Sequence, residues 1–223
     1  MSQAATALPP FDGRAFINGQ RCWAQAGARF DNISPVHGQV LCEVARCDGA
    51  DIDLAVQAAR RAFEDKRWCG LAPGARKRVL IRWAELIHAH AEELALLETL
   101  DMGKPISDVL NIDLPEVLKT IRYFAECIDK IEGAVTHTDP SALHLITHEP
   151  LGVVAAITPW NYPMLMACWK IAPALATGNS VVLKPSEKSP LTALRLGDLA
   201  IEAGIPAGVF NVISGFEIGR AHV

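Results

Sequence analysis

The residues whose types and spacing could do chemistry are gathered between Gly152 and Pro190, in the stretch GVVAAITPWNYPMLMACWKIAPALATGNSVVLKPSEKSP. Asn161 follows an apolar, β-branched run from Gly152 to Ile157 and precedes a helical pattern, so its amide can donate a hydrogen bond to negative charge growing on a substrate oxygen. Asn is also a good helix N-cap, and residue type alone leaves both roles open. Lys184 and Glu187 stand at and just past the end of a second apolar run, Ser180 to Lys184, on either side of Pro185 and Ser186. An ammonium and a carboxylate so placed can hydrogen-bond the hydroxyls of a ribose; the alternative is a solvated Lys/Glu turn, exposed ion pairs being common and weak.

Other reactive side chains fit structural roles better. Cys168 falls inside the helical pattern with no basic partner implied nearby, which describes a small buried thiol and not a nucleophile. The six cysteines, Cys22, Cys42, Cys47, Cys69, Cys127 and Cys168, contain no close CxxC, so free thiols are expected and no metal centre. Of the seven histidines, the close pair His88 and His90 does not converge from a helix, and His144 and His148 could share a strand face without an evident acid partner. Surface or interface positions are expected for all of them.

The formal net charge of −4, with both signs interspersed, gives no basic field for nucleic acid and no polybasic patch for a membrane. The longest apolar candidate, Met164 to Ala176, is broken by Lys170 and Pro173, so no membrane span is expected. The start, MSQAATALPPFDGR, lacks the basic end and apolar core of a secretory signal, and residues 1–14 read as a flexible leader. A cytoplasmic location follows by default.

The chemistry-bearing stretch needs elements to hold it. Gly152 to Ile157 and Ser180 to Lys184 read as strands, with a helix between them that Gly178 caps, and polar residues collect at the carboxyl ends of both strands, where open α/β sheets bind ligands. A further helix, Leu191 to Ala203, ends at Gly204 and leads to a strand at Val209 to Ile213, so 152–213 reads as β-α-β-α-β with a parallel sheet. Upstream, Asn18-Gly19 between short apolar pieces predicts a tight hairpin, and Val40 to Val44 a strand. Helices are expected with inward faces Ile52, Val56, Ala59, Phe63; then Val79, Trp83, Leu86, His90; then Leu94, Leu97, Glu98; and, from near Pro115, Val117, Ile121, Phe124, Ile128, Ile131. Ala134 to Thr138 and Leu143 to Thr147 are strand-like pieces that could pair as a projecting arm.

This unit, together with the segments GKPISD, ECIDK and GNSVVLKPSEKSPLTALR, resembles the NAD(P)-dependent aldehyde dehydrogenases, and within them the branch acting on amino- and γ-glutamylamino-aldehydes. The likeness runs from FINGQ near residue 17 to FNVISGF near residue 210. It implies an α/β fold with an incomplete Rossmann-like parallel sheet. Residues 15–133 would pack on the coenzyme domain, 134–149 would form a β arm for oligomerisation, and 150–223 would begin the NAD-binding domain. Asn161 would help form an oxyanion hole, Ile157, Thr158, Pro159 and Trp160 would wall the coenzyme groove, and Lys184 and Glu187 would hold the adenosine ribose. A carboxylate at Glu187 would repel a 2′-phosphate, which favours NAD over NADP. Trp160 could equally serve packing, and Trp169 with Met164 to Met166 reads as core.

The usual GxGxxG fingerprint is missing, so fold alone does not imply NAD. What the resemblance implies is oxidation of an aldehyde, an aminoaldehyde among the options, to its acid by a homo-oligomer, through a cysteine thiohemiacetal and thioester. In the family the nucleophilic cysteine and the glutamate base come later than residue 223, so this chain is expected to be an amino-terminal portion without activity of its own, and its final GFEIGRAHV departs somewhat from the family's usual continuation. A noncatalytic interaction module or shortened subunit is one alternative, and another nucleotide-binding α/β protein a second.

Overall fold

The computed structural model describes residues 11–216; most of the expected leader, the end of the closing GFEIGRAHV and His222 lie outside the described residues. The part of the leader inside them is anchored. Ala45 N–H donates to Gly13 O at 2.9 Å, and a Cβ at Gly13 would meet Glu43 O at 2.2 Å, so only glycine lets the chain pass this closely.

A five-stranded sheet, ordered β2-β1-β9-β8-β7, carries the molecule. Strands β1 (Ala15–Ile17) and β2 (Gln20–Cys22) form the expected hairpin, with Asn18 and Gly19 at φ 53° and 78°, the two positive values a two-residue turn requires. Strands β3 (Arg29–Ile33) and β4 (Val40–Ala45) pair separately. Strands β7 (Val153–Ile157), β8 (Ser180–Lys184) and β9 (Phe210–Val212) are parallel, joined by helices α6 (Pro163–Ala176) and α7 (Leu191–Ala203). The parallel β-α-β-α-β order is the one read from the sequence. Because β1 adds antiparallel to β9 through Phe16 and Val212, the boundary drawn at 133 separates segments that share one sheet and one core.

The helical region comprises α1 (Gly49–Glu64), α2 (Pro73–Ala89), α3 (Ala91–Met102), the short α4 (Ile106–Asp108), a π-helical turn at Val109–Asp113, and α5 (Leu114–Cys127). The face of α1 is a correction. Ala59 is buried and Ile52 packs inward as expected, but Val56 is exposed and Ala55, Ala58 and Ala62 are buried in its stead, because a stripe of small residues lets the helix lie close on Val182 of β8 and on Ile213 just past β9. On α2 the structure buries Leu80 and Ile87 beside Trp83 and Leu86, with Val79 only half-buried. On α5 Val117 and Ile121 are buried, and Ile128 just beyond it, but Ile131 is exposed past the helix end. Trp68 Nε1 donates to Leu175 O at 2.9 Å and Trp83 Nε1 to Leu196 O at 3.3 Å, so both fully buried indoles satisfy their polar atom and tie the helices to the α6 and α7 layer.

Strands β5 (Ala134–Thr136) and β6 (His144–Ile146) pair antiparallel as a separate ribbon. Its apolar side chains face outward: Val135, Leu143 and Leu145 are all exposed. His144 accepts or donates with Thr136 Oγ1 at 2.5 Å, whereas His148 lies beyond β6, so the two histidines do not share a strand.

Candidate functional site

The turn after β7 and the turn after β8 stand side by side because the two strands are parallel and in register, Ile157 opposite Lys184. The pairing continues one step further, Thr158 N–H donating to Lys184 O at 3.1 Å. Ser189 Oγ then reaches Trp160 O at 3.3 Å, closing the second turn over the first. Thr158 is buried, with a hydroxyl that has no partner, whereas Ile157, Pro159, Trp160 and Asn161 are exposed and Lys184 and Glu187 half-buried. The predicted residues therefore gather at one carboxyl edge of the sheet, most of them reachable from outside.

Trp160 and Glu187 line a cleft of about 430 Å³ with Lys188, Asp101, Met102 and Phe30 among its other walls; the other predicted site residues do not line it. Burial pushes Asp101 up to about 7, against the pull of Asn32 Nδ2 at 2.5 Å and Leu191 N–H at 2.8 Å. Burial also lowers Lys184, against the opposing pull of Glu187. Its Nζ reaches Pro185 O at 3.3 Å, a contact that leaves further ammonium protons for a ligand. A cation and a carboxylate beside an open edge fit the hydroxyls of a ribose.

Asn161 is not the N-cap of α6. That position is held by Tyr162, and no side chain caps the helix there. The amide of Asn161 is thus not spent on the helix end, which removes the competing role that residue type had left open. Cys168 is fully buried, and burial with Glu98 nearby pushes its thiol far up, so it is inert as a nucleophile. The six cysteines are free, and among the described residues no group of three or more His, Cys, Asp or Glu side chains could hold a metal ion. Trp169 corrects the expectation of core: it is 51% exposed and lines a groove with Tyr123, Phe124, Glu116 and Lys119, because the packed face of α6 carries Met164, Cys168, Ile171 and Leu175.

Sequence reasoning missed the layer under this edge. Glu98 of α3, Lys104 and Asp113 at the end of the π turn lie within or against the core below Tyr162 and Met164. A glutamate on the apolar face of a helix beside Leu94 and Leu97 was the available signal. His90 also has the acid partner that its spacing did not reveal, Glu93 at 2.6 Å, itself held by Arg195 at 2.7 Å.

Residues 22–223 match the model of the aldehyde dehydrogenase family. The chain belongs to that family. It is 52% identical over 212 residues to the NADP/NAD-dependent aldehyde dehydrogenase PuuC of Escherichia coli K12, an alignment covering 94% of this chain and 43% of PuuC. A crystal structure of γ-glutamyl-γ-aminobutyraldehyde dehydrogenase from Burkholderia cenocepacia J2315 superposes with a TM-score of 0.91 at 58% identity, covering 92% of this chain and 42% of that one. A mutant of the P. syringae indole-3-acetaldehyde dehydrogenase AldA, solved in complex with NAD+ and IAA, matches with the same TM-score, identity and coverage. The chain thus spans well under half the length of these relatives. The mixed α/β architecture is that of aldehyde dehydrogenases, an NAD(P)-dependent oxidoreductase family, and among the described residues no helix is long and apolar enough to cross a membrane.

Proposed function

We propose that this chain supplies one wall of the coenzyme site and the oxyanion donor of an enzyme that oxidises an aldehyde, an aminoaldehyde in the first instance, to its carboxylic acid with NAD. The observation that carries this is the parallel register of Ile157 and Lys184, which sets the Thr158–Asn161 turn beside the Pro185–Glu187 turn. When bound, NAD supplies the hydride acceptor. Lys184 and Glu187 hold the ribose hydroxyls, and Ile157, Thr158, Pro159 and Trp160 wall the groove. The carboxylate of Glu187 disfavours a 2′-phosphate by repulsion. Asn161 donates its amide N–H to the oxygen of the tetrahedral thiohemiacetal formed by a cysteine; once that carbon has given up its hydride to the acceptor, water hydrolyses the thioester to the acid and frees the thiol. The likeness to the B. cenocepacia γ-glutamyl-γ-aminobutyraldehyde dehydrogenase supports an aminoaldehyde substrate.

The exposed apolar arm of β5 and β6 supports a homo-oligomer, and the reading includes a cytoplasmic location. The 223-residue chain by itself is expected to turn over no aldehyde. In the enzyme that carries this chain, Asn161→Ala is expected to lower kcat by about 10²- to 10³-fold, the range for removal of one oxyanion donor, with NAD affinity little changed. NADH formation followed with γ-glutamyl-γ-aminobutyraldehyde tests it; undiminished turnover in the variant would overturn the role of Asn161.

A further inference from the structure

Below the Asn161 turn is a buried polar cluster that none of the roles above uses. Glu98 and Asp113 are almost wholly buried, at 0% and 1% exposure. Glu98 Oε2 accepts the Met164 backbone N–H at 3.3 Å. That amide belongs to the first turn of α6, where backbone donors lack helical partners and where no local side chain caps. Glu98 therefore does the work of a cap from another helix. Lys104 Nζ pairs with the Asp113 carboxylate and lies 3.7 Å from the centre of the Tyr162 ring, a cation held against an aromatic face.

The remaining oxygen, Glu98 Oε1, is buried and meets no donor. Its neighbour is the Asp113 carboxyl group, and burial first, then that negative charge, push Glu98 upward against the pull of Lys104. That upward push favours the neutral acid, whose Oε2 still accepts from the Met164 N–H. Asp113 reaches this place from a π-helical turn, an irregularity that re-aims side chains and recurs at functional sites. Two buried pairs thus hold this turn from below: Lys104 with Asp113, the lysine also meeting Tyr162, and Glu98 with the Met164 amide.

We propose that Glu98, Asp113 and Lys104 are positioning residues that fix the Asn161–Tyr162 turn, and so aim the Asn161 amide at the substrate oxygen. Asn161 is gripped from its carboxyl side at two points, the Tyr162 ring and the Met164 amide, while Ser189 holds Trp160 O on the other side. This rests on the oxyanion role of Asn161 proposed above.

The test uses the enzyme that carries this chain and compares Glu98→Ala, Glu98→Gln and Lys104→Met, each alone and with Asn161→Ala. Gln reproduces the neutral acid, with its oxygen for Met164. Glu98→Ala is expected to lower kcat about tenfold or more, as a small misplacement of a reacting group does, with the NAD dissociation constant within about twofold. Glu98→Gln is expected to restore most of the loss. In the Asn161→Ala background, Glu98→Ala and Lys104→Met are expected to add little, because both act through the amide already removed. Hydrogen exchange at the Met164 amide is expected to quicken in Glu98→Ala and not in Glu98→Gln. If Glu98→Ala does not fold, Lys104→Met carries the same comparison. Losses that multiply with Asn161→Ala, no rescue by Gln, or full activity in both Glu98→Ala and Lys104→Met would each overturn the proposal. If Asn161→Ala itself leaves kcat unchanged, the oxyanion reading fails instead, and Met164 exchange still reports whether Glu98 holds the turn.

Discussion

Leu183 and Leu145 are the same residue in the same kind of backbone, one in β8 and one in β6, yet Leu183 is fully buried and Leu145 is 56% exposed. The strand β8 is paired on both sides and covered by helices, whereas β6 pairs only with β5 among the described strands. The contrast separates two uses of a strand. The first is held rigidly enough to aim side chains at its end; the second presents apolar surface outward, as a segment does that finds its packing on another molecule.

Leu183→Ala and Leu145→Ala put that contrast to its strongest test. The first is expected to cost about 2–5 kcal/mol, the range for truncating a buried leucine, and the second to stay within about 0.5 kcal/mol. Urea denaturation of each variant as a monomer reads both. Equal losses would mean that the arm is as much part of the folding unit as the sheet.

A second break lies between buried and exposed acids. Burial, with Asp113 beside it, pushes Glu98 up to about 8, whereas Asp139 in the arm is lowered by its hydrogen bonds with Ser141. The groups facing Glu98 are Asp113, Lys104, the Met164 amide and the Cys168 thiol. Because the folded state keeps the Glu98 proton and the unfolded state loses it near its ordinary value, this carboxyl's contribution is greatest at acid pH and falls as pH rises towards about 8. Glu98→Gln does not titrate. Its stability relative to the parent is therefore expected to rise from pH 5 to pH 8 and then level, read by melting temperature across pH; a constant difference would mean that Glu98 is ionised throughout. Asp101, also raised, is common to both proteins and cancels.

How legible each region was follows the same divide. The β8 run and the Gly178 stop were readable because a strand buried on both faces is apolar throughout and a helix end in the left-handed region selects glycine. The parallel arrangement of β7 and β8 followed from topology rules, while their register, Ile157 opposite Lys184, came only from the structure and is what sets the predicted site residues on one edge. The inward face of α1 was only partly readable: Ile52 and Ala59 pack as expected, but periodicity placed Val56 inward over Ala55, Ala58 and Ala62, which close approach to the sheet selects. The position of Trp169 was missed for a related reason: a large indole scores as core even on the exposed side of a helix. The Glu98, Lys104 and Asp113 cluster escaped because its members come from three elements and meet only through tertiary packing and a π turn that carries no periodic signature. The arm's pairing was suggested by its two strand-like pieces, but nothing in them said that their apolar residues would face outward.

Gly178 sharpens the comparison at a smaller scale. At φ +90° it follows the end of α6, its N–H donating to Leu175 O at 3.0 Å, and a Cβ there would sit 3.4 Å from Cys69. Gly178→Ala is expected to cost about 1–2 kcal/mol from the left-handed backbone, since the neighbouring space is ordinary contact. Gly38 has a comparable positive φ, 71°, but open space around it, so Gly38→Ala isolates the backbone component. Matching losses in chemical denaturation would show that conformation alone selects glycine at the end of α6; a much larger loss at 178 would assign the excess to the packing of Cys69.

The smallest effect on folding is expected where the effect on assembly is greatest. Leu143→Ser with Leu145→Ser replaces side chains 76% and 56% exposed, so little packing within the chain is lost and the monomer's stability is expected to change by less than about 0.5 kcal/mol. The ladder between β5 and β6 is made by the backbone, at Ala134 with Ile146, Val135 with Leu145 and Thr136 with His144, and survives the change. If the arm meets another copy, the same pair of substitutions removes apolar area from that contact and shifts the protein towards smaller species in sedimentation at micromolar concentration. An unchanged distribution alongside an unchanged melting temperature would show that the exposed leucines serve neither folding nor association. A lowered melting temperature in the isolated monomer would instead place them in the fold, and the division between the two kinds of strand would not hold.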